Sequence, residues 1–325
     1  MKVTAIAPSN IAFIKYWGKK DENLRLPENG SISMCLSNLL TTTTVEFSRD
    51  YKDDFIEIDG IKENNIARRV IEHLDRVRKI AGIAEKAKVV SKNNFPTETG
   101  LSSSASGFAA LTLAGTKAAG LNLSEKELSI LTRLGSGSAC RSIPNGFVEW
   151  ISGNSSKTSY TVSIYPPEYW DIVDLVAVVS EEKKEISSTQ GQKLIKTSPL
   201  FQTRQLLINK KILLIKELIK EKDFEKFGEL IEAEALELHA IMLTSSPSLI
   251  YWTPGTIKIM KLVKKWRNEG LPVYFTINTG QNIHLICEEK NAKRLEKLVK
   301  EVPEVKKLII NKPANGARLT ERHLF

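Results

Sequence analysis

This chain of 325 residues has little with which to bind a metal or close a disulfide. Its three cysteines, Cys35, Cys140 and Cys287, are odd in number, far apart and without metal-ligand spacing, which excludes a disulfide framework and a zinc ribbon. The four histidines share no ligand spacing either; His73, His284 and His323 read as structural or surface residues. No apolar run reaches the roughly 18 residues that a membrane span needs, so no membrane partner is expected. The first eight residues hold too short an apolar stretch for a signal peptide. There is no internal repeat, no set of RNA-recognition aromatics and no helix-turn-helix pattern, so nucleic acid is not an expected partner. The expectation is a reduced, cytoplasmic protein.

Cationic charge is present in excess. Lys and Arg number 47 against 38 Asp and Glu, a net charge of +9, which permits an anionic partner such as a phosphorylated small molecule. Much of the excess is spread along helical stretches, where Lys210, Lys216, Lys220 and Lys226 interleave with Glu217, Glu221, Glu225 and Glu229 as a solvated face. The length favours two domains. Their boundary is expected at the proline-rich patch 165–168, giving units of 1–170 and 171–325.

Periodicity yields an α+β alternation. β-Branched segments at 3–7, 31–36, 41–47 and 55–58 read as strands, followed by a helix at 65–81 and a strand at 88–91. A small-residue helix is expected to about 119. Ser124 and Glu127 form a capping-box pattern opening a helix to 134. Strands follow at 146–151, 158–164 and 172–179. Helices are expected at 189–197, 200–220, 224–244 and 256–269. The end reads as strands at 273–278 and 283–288, a helix at 292–300 and a strand at 306–310.

Three clusters carry chemistry. Residues 135–142 read Gly-Ser-Gly-Ser-Ala-Cys-Arg-Ser: the glycines let backbone N–H groups approach a ligand, Ser136 and Ser138 add hydroxyls, and Arg141 adds a planar fork for carboxylate or phosphate. The same composition also reads as a plain loop. Residues 96–107 place Gly100, Leu101, Ser102, Ser103 and Ser104 at a helix start, where unpaired N–H groups and the helix dipole receive phosphate. A serine-rich cap is the alternative, and no Walker A ending is present. Lys15, Tyr16, Trp17, Gly18 and Lys19 follow a strand and suit a diphosphate clamp, or else a strand end with exposed lysines.

Asn10 with Lys15-Tyr16-Trp17-Gly18-Lys19, the run from Asn93 to Gly107, Gly135 to Ser142, and Ser187-Ser188-Thr189-Gln190-Gly191 resemble, in order and spacing, the diphosphomevalonate decarboxylases of the GHMP kinase superfamily. The resemblance extends to Leu238-His239-Ala240 and to the region 278–282. It implies a ribosomal-S5-like N-terminal domain, a ferredoxin-like C-terminal domain and a homodimer. It also implies ATP with Mg²⁺, phosphorylation of the 3-hydroxyl of (R)-5-diphosphomevalonate, then loss of phosphate and CO₂ to give isopentenyl diphosphate. Asn94, Pro96, Gly100, Leu101, Ser102, Ser103 and Ser104 would then serve ATP, with Ser104 near the metal. Asn10, Tyr16, Trp17, Gly18, Lys19, Arg69, Ser136, Gly137, Ser138, Ala139, Cys140, Arg141, Ser188 and Thr189 would bind substrate. Lys15, Arg141 and position 278 would be catalytic.

Position 278 departs from the pattern. The family carries an aspartate there, placed to accept the hydroxyl proton, whereas this chain has Asn278 and, three residues on, Gln281 in place of a common proline. An amide is no general base near neutral pH, and losing the carboxylate changes the balance around Lys15 and Arg141. Three readings follow: an engineered Asp→Asn decarboxylase, a relative that phosphorylates without efficient decarboxylation, and a ligand-binding homologue without catalysis.

Overall fold

A computed structural model describes residues 1–62, 66–96 and 99–325. Its N-terminal half contains β1 (Lys2–Ile14), β2 (Lys19–Asp21), β3 (Leu26–Pro27), β4 (Ser31–Ser48) and β5 (Phe55–Ile58). These are followed by α1 (Ala67–Ala81), β6 (Lys86–Asn93), α2 (Ser103–Ala118), α3 (Glu125–Gly135), β7 (Phe147–Ile151) and β8 (Tyr160–Tyr165). The second half contains β9 (Ile172–Val178), the short α4 (Ser188–Gly191), α5 (Phe201–Glu221), α6 (Phe224–Leu243) and α7 (Pro254–Asn268). It ends with β10 (Tyr274–Thr276), β11 (Ile283–Glu288), α8 (Glu289–Lys300), β12 (Lys307–Asn311) and β13 (Arg318–Thr320). The fold is two-domain α+β, as expected.

The first sheet runs β13-β1-β4-β6-β5, antiparallel except for β5 beside β6, and β7 joins the first part of β4 with β8 outside it. Phe108 and Leu111 of α2 and Leu74 and Val77 of α1 pack on Val45 and Val89 of this sheet. The second sheet, β10-β11-β9-β12, is wholly antiparallel. Its β9 is buried at every position, as a strand covered on both faces must be.

The first strands are longer than the alternation pattern indicates. β1 continues to Ile14, and β4 joins the expected strands 31–36 and 41–47 into one. Alternation stops in β1 because residues 7–14 are buried on both faces. Ile11, Phe13 and Ile14 share a core with Val176 and Leu285 of the second sheet. The register of β1 on β4 shifts between Pro8 and Asn10 and again between Ala12 and Ile14, and such bulges re-aim side chains toward a site.

The Ser124–Glu127 capping box is present at the start of α3. The Gly/Ser/Arg cluster is not a loop: α3 runs through Gly135, and Gly137–Ser142 form a 3-10 helix. The helix expected at 189–197 divides into α4 and a 3-10 turn over Gln192–Thr197. The expected helix start at Asn65 and, in the serine loop, Thr97 and Glu98 lie outside the described residues. All three cysteines are free and buried, and no described helix is long and apolar enough to cross a membrane.

Candidate active site

The three sequence clusters meet at one cleft of about 360 Å³ between the halves, within the size range of small-molecule sites. Lys15, Tyr16, Trp17 and Lys19 leave the end of β1 to form one wall, and Ser136, Gly137, Ser138 and Arg141 form another. Gly100, Ser102, Ser103 and Ser104 open α2 across from them. Arg69, Ser188, Thr189 and Asn278 also line the cleft. The sequence reading missed Arg25, Lys183, Lys184 and Thr279, which lie on the wall as well. Arg25, Lys183 and Lys184 sit in polar stretches with no motif around them, so only the fold distinguishes them from surface residues; Thr279 adjoins Asn278 within the family-like region 278–282, which is the signal for it.

The cleft wall carries seven cationic side chains and, among the described residues, no aspartate, glutamate or histidine. Lys19 is paired with Glu22 beside the wall, whereas a desolvated cation such as Arg141, whose partners are neutral, produces a strong field for an anion.

Arg141 is almost fully buried and donates from Nε and Nη2 to Asn10 Oδ1 (3.1 and 2.9 Å) and from Nη1 to Ser31 Oγ (2.9 Å). Asn10 itself donates to Ser142 Oγ at 2.8 Å. These partners are neutral, so they orient the fork without neutralising it. Burial brings the Arg141 pKa down to about 10, which leaves it charged at neutral pH. Gly137 is required by proximity: a Cβ there would lie 2.7 Å from Tyr16 Oη. Tyr16 packs on Trp150 with ring centroids 4.6 Å apart, and burial raises its phenol pKa. Trp17 Nε1 is buried without a hydrogen-bond partner among the described residues, a donor that an oxygen-rich ligand would satisfy.

Other expected site residues stand behind the wall. Ala139 and Cys140 are fully buried, and Cys140 Sγ donates to the Gly137 carbonyl. Leu101 packs in the core while its carbonyl accepts from Ser9 Oγ at 2.6 Å. Gly18 packs against Ile195 and Glu28. Asn94 faces away from the cleft wall: it accepts from Leu40 N and donates to the Asn38 carbonyl. Pro96 accepts from Thr99 Oγ1. Arg69 donates to the Gly135 carbonyl at 3.1 Å, its guanidinium over the Phe108 ring.

Ser102 adopts a left-handed conformation (φ 60°) and no side chain caps α2. Strain of this kind in a non-glycine residue is typical of ligand-gripping turns. An uncapped helix start directs its N–H groups and positive dipole outward. Ser102 Oγ instead accepts from Asn278 Nδ2 at 3.1 Å. Asn278 Oδ1 accepts from Ala12 N, and Nδ2 also approaches the Asn10 carbonyl, each at 3.4 Å. The amide thus uses both its acceptor and its donor across the domain seam. His239 pairs through Nε2 with the Asn278 carbonyl at 3.0 Å and stacks on Trp252. Burial drives its pKa down to about 3, so the ring is neutral and donates. The other histidines lie elsewhere: His73 on Thr112, His284 on Asp174 and His323 on Thr4.

No group of three or more His, Cys, Asp or Glu suited to a metal occurs among the described residues. The hydroxyls of Ser103 and Ser104 are nevertheless hard oxygen donors at a phosphate-receiving helix start, a set that fits Mg²⁺ held largely by phosphate and water.

A two-domain α+β protein with a cationic cleft at its seam and an uncapped serine helix on one wall is built for phosphorylated anions. Residues 7–161 match the model of the diphosphomevalonate decarboxylase-like N-terminal domain, and 174–320 that of the mevalonate 5-diphosphate decarboxylase C-terminal domain. The chain belongs to the diphosphomevalonate decarboxylase family. It is 37% identical to diphosphomevalonate decarboxylase of Candida albicans, over 90% of this chain and 86% of that protein. It is 34% identical to phosphomevalonate decarboxylase of Haloferax volcanii, over 92% of each. A solved structure described as MDDEF in complex with MVAPP, AMPPCP and magnesium superposes with a TM-score of 0.93 at 40% identity over 99% of both chains.

Proposed function

We propose that this protein catalyses the ATP-dependent decarboxylation of (R)-5-diphosphomevalonate to isopentenyl diphosphate. The observation that carries the reading is the carboxylate-free, cation-lined cleft among the described residues, in a chain of this family. Tyr16, Trp17, Lys19, Ser136 and Ser138 would bind the diphosphate. Arg141, held on Asn10 and Ser31, would fix the carboxylate by a bidentate contact. Residues 100–104 would cradle the ATP phosphates at the start of α2. Mg²⁺, held by phosphate oxygens with Ser104 nearby, would neutralise charge on the transferring group. Phosphoryl transfer rests mainly on such positioning. Asn278 would orient the 3-hydroxyl by hydrogen bonding rather than remove its proton. Closure of the cleft would keep water from the cationic carbon that forms as phosphate departs, until loss of CO₂ supplies the electron pair of the alkene.

The relative from Haloferax volcanii supports a second reading, the monophosphate as substrate. Asn278 supports a third, 3-phosphorylation without efficient decarboxylation. Incubation with ATP and either mevalonate ester, following ADP and CO₂ separately, tests all three. Equal ADP and CO₂ from the diphosphate is the expected result; ADP without CO₂ indicates a 3-kinase. Neither product indicates a blocked decarboxylase if Asn278→Asp restores turnover, and a binding protein if it does not. We further infer a cytoplasmic homodimer, for which exposed Leu206 and Leu213 one heptad apart on α5 offer an apolar contact; light scattering measures the mass.

A further inference from the structure

The wall described above poses a problem of proton balance. Esterifying a hydroxyl releases a proton, and the described part of the cleft offers no carboxylate or imidazole to receive it. Asn278 has no basic atom, and both ends of its amide are engaged. Only lysine amines remain among the ordinary proton acceptors.

Lys15 stands apart from the other lysines there. It is 1% exposed, and its Nζ donates to the Ala12 carbonyl and to Thr276 Oγ1, both at 2.6 Å. Two acceptors satisfy the two protons of a neutral amine and leave its lone pair unused. Ala12 also donates its N–H to Asn278, and Thr276 lies two residues before Asn278. Lys15 Nζ and the Asn278 amide therefore both bond the backbone of Ala12, a single residue of β1.

We propose that Lys15 Nζ is the proton acceptor for the substrate's 3-hydroxyl; this rests on the function proposed above. As the hydroxyl oxygen bonds to the γ-phosphorus of ATP and the bond from that phosphorus to the ADP oxygen breaks, the proton passes to Nζ. When the bond to the carboxylate carbon breaks, its electron pair forms the alkene and the carbon–oxygen bond to phosphate is released. The Lys15 ammonium then returns its proton to the departing phosphate, so the amine is regenerated.

The surroundings agree. Burial holds the Lys15 pKa well below its ordinary value, and Arg141 and Arg204 push it the same way; Glu234 and Asp174 oppose. Glu234 bonds Arg204 and Lys211, and it reaches only the backbone N–H of Lys15. Asp174 is occupied by His284. Desolvation among cations is a known means of making a lysine nucleophilic or basic.

Lys15→Arg removes the base and sets a permanent cation where the neutral amine stood. Expected is unchanged diphosphomevalonate binding by calorimetry, with single-turnover ADP formation reduced about a hundredfold or more and its acidic pH limb abolished. In the unaltered, ligand-free protein labelled with ¹³C at lysine Cε, one resonance, absent from the Lys15→Arg spectrum, should titrate well below the others. If the variant fails to fold, Lys15→Gln assigns the resonance. Wild-type ADP formation by Lys15→Arg overturns this assignment alone, as does a Lys15 resonance that remains that of an ammonium at every pH. Absence of ADP formation by the unaltered enzyme overturns the proposed function, and this role with it.

Discussion

Gly100 and Gly280 meet back to back: a Cβ on Gly280 would lie 2.5 Å from the Gly100 Cα, and one on Gly100 would lie 2.7 Å from the Gly280 Cα. The serine loop from the N-terminal half and the turn after Asn278 therefore touch where neither can carry a side chain. Gly100 also needs its φ of +92°; Gly280 needs only the space. Gly280→Ala is the cleaner probe. It should lower stability by about 1–3 kcal/mol through overpacking and weaken binding of an ATP analogue by separating the loops. Urea denaturation and calorimetric titration measure the two effects.

Arg141 depends on Asn10 for its orientation. Arg141→Lys keeps a charge but loses the fork that reaches Asn10 and Ser31 together, and a flexible ammonium cannot replace it. Under the proposed function kcat/KM should fall about a hundredfold, with thermal stability little changed. Steady-state kinetics beside a melting curve checks this.

The fully buried Arg204 bonds Glu234 and Glu237 and donates to the Lys15 carbonyl. Arg204→Met leaves Glu234 buried with Lys211 as its remaining cationic partner. The loss should be about 3–5 kcal/mol. Adding Glu234→Gln should recover part of it, because a neutral amide is less costly to bury than an under-compensated carboxylate. Denaturation of the single and double variants tests the order.

Acid should destabilise the fold through two histidines. Burial lowers both His73 and His239 to about 3, from an ordinary value of 6.5. Between those values the unfolded chain binds protons that the folded chain does not. Their contribution is therefore complete above about pH 6.5 and declines as pH falls toward 3, by up to about 1.4 kcal/mol per pH unit for each. Replacing either by Asn should flatten the slope of unfolding free energy against pH in that window.

The clusters at 15–19, 100–104 and 136–141 each read alone as loop, cap or strand end; their order and spacing together, through the family resemblance, pointed to anion binding, and residues of all three line the cleft. Arg25, Lys183 and Lys184 were not readable, since their place on the wall arises from long-range packing. Asn94 belongs to the motif yet faces away, holding residues 38–40 by hydrogen bonds. The continuous β1 escaped a period-two reading because its second half is buried on both faces. The two residues of β3 and the three of β13 are too short to show a period. His239 was open to an indirect role because it lies in the family-like segment 238–240; its bond to the Asn278 carbonyl needed the fold.

The return of β13 to the free side of β1 bears on synthesis. Thr4 pairs with Thr320, so β1 gains its outer neighbour only after the residues up to β13 have been translated. Until then β1 presents open N–H and C=O groups, and Ile11 and Phe13 lack the second sheet's core residues. Such an edge invites pairing with other nascent chains. Slowing translation just before β13 should therefore increase aggregation more than slowing it before β1.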